Sequence, residues 1–386
     1  MKGELLSANH AAALAATLAA RANRFGRGFC SGVYPITPST ECMEFLCNQV
    51  IEKGKVVRVE SEHSAMGVCI GASAAGARSF TATASNGLAY MAENCVAAAS
   101  LRLPIVLTVA NRTMGPPWNI WADHGDALML RDLGLIQFYC ADNQEVFDTV
   151  LAAFRLAEDP RVLMPVMVCM EGFILSHTVA QTDVPSQEQV DAFLPPTRVP
   201  QQLGSTPHSL GQMELPRQTE AHRKQHHEAM RAAGAVLDEV RAEFGRHFDR
   251  ELPGAVVPYR MGDAETVIVS LGTMGLTAER VVDSLRERGQ QVGALRVRLF
   301  RPFPVADLRR QLAGKKRIAV LDRDLSVGLG GILWSELRGV ADPGALVQNY
   351  LTGLGGGDVC PEHLERIVDD VCSRSEAGDP VFLEEL

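Results

Sequence analysis

The 386-residue chain lacks most of the features that mark a specialised class of protein. No two of its nine cysteines form a CxxC pair, and most sit in apolar runs such as Val168-Cys169-Met170. That spacing excludes the usual iron–sulfur and structural-zinc motifs. Scattered thiols in odd number predict reduced, mostly buried side chains in a cytoplasmic protein. No charge excess dominates: 37 basic and 46 acidic residues give a net charge of -9, too mild for a nucleic-acid-binding surface. No long hydrophobic run occurs either. Residues 11–20 are apolar but mostly Ala, flanked by Glu4, His10, Arg21, Arg24 and Arg27, and are too short to cross a bilayer. No membrane or targeting segment is expected, and there is no short-period repeat.

What is present describes a globular chain long enough for two domains, at 46% hydrophobic and 22% charged residues. Short β-rich runs alternate with small-residue helices through residue 180. Lys55–Val59, Ser79–Ala84, Leu135–Cys140 and Leu163–Met170 read as strands. Pro104–Ala110 is continuously apolar, as expected of a strand buried on both faces. Ala65–Ala77 is a Gly/Ala-rich helix, Ser85-Asn86-Gly87 a turn before a helix over Leu88–Ser100, and Asp142 with Glu145 opens another helix. This rhythm predicts a doubly wound α/β sheet. Six prolines between Val184 and Pro216 mark a connecting segment, and seven basic with seven acidic residues over 217–251 read as a solvated helix. A smaller α/β unit follows, with strands at Thr266–Ser270, Val292–Phe300 and Arg317–Asp322. The expected division is 1–183, a linker and helix over 184–258, and 259–386.

Ligands of open α/β sheets bind outside the carboxyl ends of the strands. Three segments put polar residues there: Tyr34-Pro35-Ile36-Thr37-Pro38-Ser39-Thr40, Glu60-Ser61-Glu62-His63, and Ala110-Asn111-Arg112. Two prolines restrict the backbone around Thr37, a carboxylate beside a close-packed helix needs a partner, and Arg is the natural fork for a carboxylate ligand. Each also has an ordinary reading as a turn or a surface pair.

In order along the chain, YPITPST, VESEHSAMG, SNGLAYM, VANR, WADHGD, MEGFILSHT, RLFRPFP, AVLDRDLSVGLGG and TGLGGGDV resemble the α subunit of 2-oxoacid:ferredoxin oxidoreductases, the pyruvate synthase family. The resemblance is weakest over residues 180–255. It implies a pyrimidine-side domain for thiamine diphosphate and a smaller domain like the transketolase C-terminus. It also implies a β subunit holding the diphosphate and Mg²⁺, with [4Fe-4S] clusters in γ and ferredoxin-like δ subunits. Coenzyme A would take the acyl group, and ferredoxin or another acceptor the electrons. No GDG-plus-Asn motif is present, and Met261-Gly262-Asp263-Ala264 is not one, so a self-contained transketolase-like enzyme is excluded. A structural subunit without catalytic residues is the alternative, opposed by the set Thr37, Glu62 and Arg112.

By the same resemblance, Glu62 hydrogen-bonds N1′ of the aminopyrimidine, and Thr37 and Arg112 hold the carboxylate and carbonyl of the 2-oxoacid. Tyr34, Pro35, Ser85 and Asn86 are the further cofactor-side candidates. His63 replaces a small residue beside the glutamate and suits either site tuning or a subunit interface; Glu60 reads as a surface residue. Trp118 and Trp121 stand out among three tryptophans. They are expected to shape a pocket for a larger, aryl side chain such as that of phenylglyoxylate, or else to serve ordinary packing. Asp123, His124 and Asp126 read as a structural loop near the site, no metal is expected on this chain, and Gly328-x-Gly330-Gly331 lacks dinucleotide spacing.

Overall fold

The computed structural model describes residues 2–204 and 208–386 and contains two mixed, mainly parallel sheets. The first has seven strands in the order Leu299–Arg301, Ile136–Tyr139, Val166–Glu171, Ile105–Asn111, Arg78–Thr83, Phe29–Val33 and Gly54–Arg58. Only Leu299–Arg301 runs antiparallel to its neighbour. After Phe29–Val33 and Gly54–Arg58 the chain returns to the opposite side of Phe29–Val33 to lay down Arg78–Thr83. The loops leaving these two carboxyl ends therefore diverge and open a crevice, the position where open α/β sheets hold ligands. The crevice is flanked by Tyr34–Thr40 on one side and Ser85–Gly87 on the other.

The second sheet has six strands, ordered Val381–Phe382, Leu346–Leu351, Arg317–Asp322, Thr266–Ser270, Val292–Val297 and Val256–Tyr259, with the last antiparallel. The stretch Val292–Phe300, expected as one strand, divides at Arg298: Val292–Val297 stays in this sheet and Leu299–Arg301 joins the first. Buried charge enforces the division. Arg296 Nη1 and Arg298 Nε donate to Glu145 Oε1 at 3.0 and 2.7 Å, and Arg298 Nη2 donates to Thr149 Oγ1 at 2.6 Å. Burial works against the Glu145 carboxylate, but the two guanidiniums outweigh it and hold the group below its ordinary value. Glu145 opens the helix Asn143–Ala157, whose N-cap Asp142 accepts from the Glu145 N–H as the sequence predicts.

Other elements depart from expectation for local reasons. The triplet Ser85-Asn86-Gly87 is the first turn of a helix over Ser85–Tyr90, which breaks at Met91 and resumes over Ala92–Ser100. Within the Pro-rich segment, Ser186 and Gln189 form a capping box that starts a helix over Gln187–Phe193. Residues 205–207 of that segment lie outside the described residues. Val179–Val184 pairs antiparallel with Lys2–Ser7 in a two-stranded ribbon. The helix Pro216–Phe248 is exposed over its first turns. It then buries Ala229, Ala233, Val236, Leu237, Val240, Phe244 and Phe248, which recur at helical spacing on one face. No described helix is long and apolar enough to cross a membrane.

Candidate active site

Residues at the carboxyl ends of four neighbouring strands meet around the crevice. Glu62 begins the helix Glu62–Ala74, capped by Ser61, whose hydroxyl accepts from the Ser64 N–H. That helix lies against strand Phe29–Val33 so closely that a Cβ on Gly32 would stand 2.2 Å from the Ala65 carbonyl oxygen. Gly32 is thus a condition of the approach, whereas Gly67 and Gly71 of the helix itself would accept a Cβ without a clash. Glu62 is only 7% exposed, and its carboxylate makes no hydrogen bond or ion pair among the described residues. It rests in a cradle formed by Gly87 and Thr83: a Cβ on Gly87 would lie 2.4 Å from Glu62 Oε1 and 2.7 Å from Thr83 Oγ1. The Thr83 hydroxyl is itself buried without a partner. A buried carboxylate with no protein donor is costly and rare, and marks a group kept for something else.

Arg112 follows strand Ile105–Asn111 and donates across the crevice through Nη1 to the Thr37 carbonyl. Its Nε is buried without a partner, and burial lowers the pKa of its guanidinium against the opposing pull of Asp126. The Thr37 side chain is exposed; Tyr34 is half-buried and Pro35 exposed. Ser85 and Asn86 have their side chains engaged. The Ser85 hydroxyl donates to the Thr113 carbonyl, and Asn86 exchanges two hydrogen bonds of 3.1 Å with the backbone of Gly115. They hold the loop Thr113–Trp118 against the crevice. Trp118, 71% exposed, lies over Gly115, and Trp121, 51% exposed, packs on Phe173 at 4.6 Å between ring centroids. His63 is not drawn toward Thr37 and Arg112. It faces Tyr90, at 5.9 Å between rings, and Glu93, at 3.8 Å.

Ser85 and Arg112 are tied together by Asp126, which the sequence offered only as part of a loop. Its buried carboxylate accepts from the Ser85 and Arg112 backbone N–H groups, the Asn111 side-chain amide and the Ala127 N–H, at 2.7–3.0 Å. Behind it, His124 Nε2 meets Glu171 Oε1 at 3.0 Å, and Arg323 Nε of the second unit approaches the same oxygen at 3.5 Å. Burial would raise Glu171, yet Arg323 and His124 bring it down to about 2. Asp123 accepts from the Gly355 N–H at 3.3 Å, so the glycine-rich loop after strand Leu346–Leu351 backs the tryptophan loop. Among the described residues, no three His, Cys, Asp or Glu side chains group as a metal site. A groove of about 580 Å³ opens beside the crevice between Tyr34–Pro35, Met43 and the edge-strand residue Arg58.

Fold and crevice define an α/β protein whose doubly wound sheet places a ligand at the carboxyl ends of its strands. Residues 27–242 match the family described as pyruvate flavodoxin/ferredoxin oxidoreductase, thiamine diphosphate-binding, and residues 264–364 match pyruvate:ferredoxin oxidoreductase core domain II. The chain is 42% identical over 369 residues to the pyruvate synthase subunit PorA of Methanothermobacter thermautotrophicus, covering 95% of this chain and 94% of that one. It is 42% identical over 354 residues to the ketoisovalerate oxidoreductase subunit VorA of Pyrococcus abyssi, covering 89% of each. A solved 2-oxoglutarate:ferredoxin oxidoreductase from Magnetococcus marinus, with 2-oxoglutarate, coenzyme A and succinyl-CoA bound, shares the fold at a TM-score of 0.74 and 21% identity. The chain spans 95% of its own length and 65% of that chain in the match. This chain belongs to the 2-oxoacid:ferredoxin oxidoreductases, as an α subunit of the PorA/VorA kind.

Proposed function

We propose that this chain supplies the pyrimidine-side half of a thiamine diphosphate site in a complex that oxidatively decarboxylates pyruvate or a branched 2-oxoacid to its acyl-CoA. The carrying observation is the Glu62 carboxylate, buried and without a protein partner beside Gly87 at the sheet's crevice. These residues fit the aminopyrimidine: a carboxylate without a protein donor is the acceptor that a ring N–H needs, and the unpartnered Thr83 Oγ1 lies beside it. Thiamine diphosphate supplies the nucleophilic carbon and the electron sink for decarboxylation.

Every other task falls to side chains. Glu62 holds a proton at the pyrimidine nitrogen. Arg112 presents the free edge of its guanidinium to the 2-oxoacid carboxylate, and the exposed Thr37 hydroxyl donates to the carbonyl. Tyr34 and Pro35 line the approach, while Ser85 and Asn86 act by fixing the loop Thr113–Trp118. Trp118 and Trp121 border the substrate side. The named relatives act on pyruvate and ketoisovalerate, so an aryl 2-oxoacid such as phenylglyoxylate has no support from them.

A β subunit would bring the diphosphate site and Mg²⁺. Further γ and ferredoxin-like δ subunits would bring the iron–sulfur clusters, in a cytoplasmic complex without nucleic acid or membrane. The test is to purify the assembled complex and measure coenzyme A-dependent acceptor reduction with pyruvate, 2-oxoisovalerate, 2-oxoglutarate and phenylglyoxylate. Turnover of one of the first two is expected. An assembled, cofactor-loaded complex inert toward all four would overturn the proposal.

A further inference from the structure

We infer that Asp126 is a positioning residue for the 2-oxoacid, acting by pinning the backbones of Arg112 and Ser85 at one carboxylate oxygen. The inference rests on the functional reading above for Arg112. Ser85 and Arg112 are among the first residues beyond strands Arg78–Thr83 and Ile105–Asn111, which are neighbours in the sheet. Their N–H groups donate to the same atom, Asp126 Oδ2, at 2.9 and 3.0 Å. Oδ1 accepts from Asn111 Nδ2 at 2.8 Å and from the Ala127 N–H at 2.7 Å. All four donors are neutral, and Asp126 is 1% exposed with no ion pair among the described residues.

Burying a carboxylate this way costs stability that an apolar side chain would not, so the arrangement calls for another reason. The reason lies in what the two N–H groups fix. Ser85 has φ +49°, a left-handed conformation disfavoured for a residue with a side chain, and its hydroxyl then reaches the Thr113 carbonyl. Arg112, held at its own N–H, sends its guanidinium to the Thr37 carbonyl. One carboxylate thereby sets both the substrate-binding arginine and the loop carrying Trp118.

Its protonation state governs that hold. Burial raises Asp126 to about 6 against four hydrogen bonds that pull it down. The groups facing it are Arg112, Tyr139 and Cys169, and burial holds the last two protonated. A proton on Asp126 takes away an acceptor that Ser85 or Arg112 uses.

The assembled complex tests this through two independent readings taken between pH 5 and 8. In the wild type, KM for the 2-oxoacid is expected to rise as pH falls through about 6, with kcat less affected. Emission from the tryptophan loop should titrate over the same range without any turnover. Asp126→Asn should raise KM on the order of tenfold and abolish both inflections. Asn111→Ala removes one donor from the charged form, so both inflections should move upward. It carries the test if Asp126→Asn does not fold. Inflections that stay in place in Asn111→Ala, or persist in a folded Asp126→Asn, overturn the inference. A wild type inert toward every 2-oxoacid overturns the functional reading alone, and the emission titration still decides the role of Asp126.

Discussion

Filling the cradle around Glu62 by a single methyl group perturbs the proposed chemistry with little change in the fold. In Gly87→Ala the new Cβ would lie 2.4 Å from Glu62 Oε1, 2.8 Å from Glu62 Cδ and 2.7 Å from Thr83 Oγ1. Ordinary contact needs roughly 3.5 Å, so the carboxylate must withdraw by about 1 Å. The atoms in the way are the ends of side chains, and the backbone need not move. Ala in place of Gly within the helix Ser85–Tyr90 stabilises by ~1 kcal/mol, while local overpacking costs about 1–3 kcal/mol. The net effect on folding is small. A misplacement of about 1 Å costs roughly 100-fold in rate, equivalent to ~2.7 kcal/mol of barrier. The assay is kcat at saturating 2-oxoacid in the purified complex, with thermal unfolding recorded alongside. A fall of about 100-fold at nearly unchanged melting temperature is expected. Wild-type kcat in Gly87→Ala would refute the reasoning, because the pyrimidine contact would then not depend on where Glu62 stands.

Arg112→Lys keeps the charge but loses the planar fork, so KM for the 2-oxoacid should rise by about 10-fold or more; an unchanged KM places the substrate elsewhere. Trp118→Ala and Trp121→Ala should each alter the ratio of kcat/KM for pyruvate to that for 2-oxoisovalerate; an unaltered ratio in both removes the tryptophans from specificity. Glu171→Gln leaves His124 and Arg323 without their buried anion and should cost about 3–5 kcal/mol in unfolding experiments. Because Glu171 is held at about 2, below its ordinary 4.5, its contribution is complete above pH 4.5 and fades as pH falls toward 2. The variant should therefore lose that part of the acid sensitivity, and an unchanged acid profile contradicts the assignment.

Much of the fold can be read from local pattern. The continuous apolar run 104–110 matches the buried strand Ile105–Asn111, and the Asp142 cap opens its helix. Both signals are short in range, so no tertiary knowledge is needed. Failures occur where distant partners decide. The split at Arg298 involves Glu145, more than 150 residues earlier, and the two arginines in the stretch do not by themselves reveal that partner. Ser85-Asn86-Gly87 has the composition of a turn, yet the Ser85 N–H finds Asp126 and the triplet becomes helix. The helix Pro216–Phe248 shows its charges in the sequence, but its buried face is visible only as spacing among Ala and Phe residues. At the site, Glu62 and Arg112 stand out because residue type and strand end coincide. Asp126 and Gly87 do not: one works through backbone N–H groups, and the other by what it leaves empty.

The central claim is that Glu62 is the pyrimidine-side carboxylate of a site completed by a partner chain. Glu62→Gln tests it most directly, since the amide keeps the size of the side chain and removes only the charge. Measured in a complex of wild-type subunit composition, 2-oxoacid-dependent acceptor reduction should be abolished while assembly is retained. Turnover at the wild-type rate in that variant would contradict the claim.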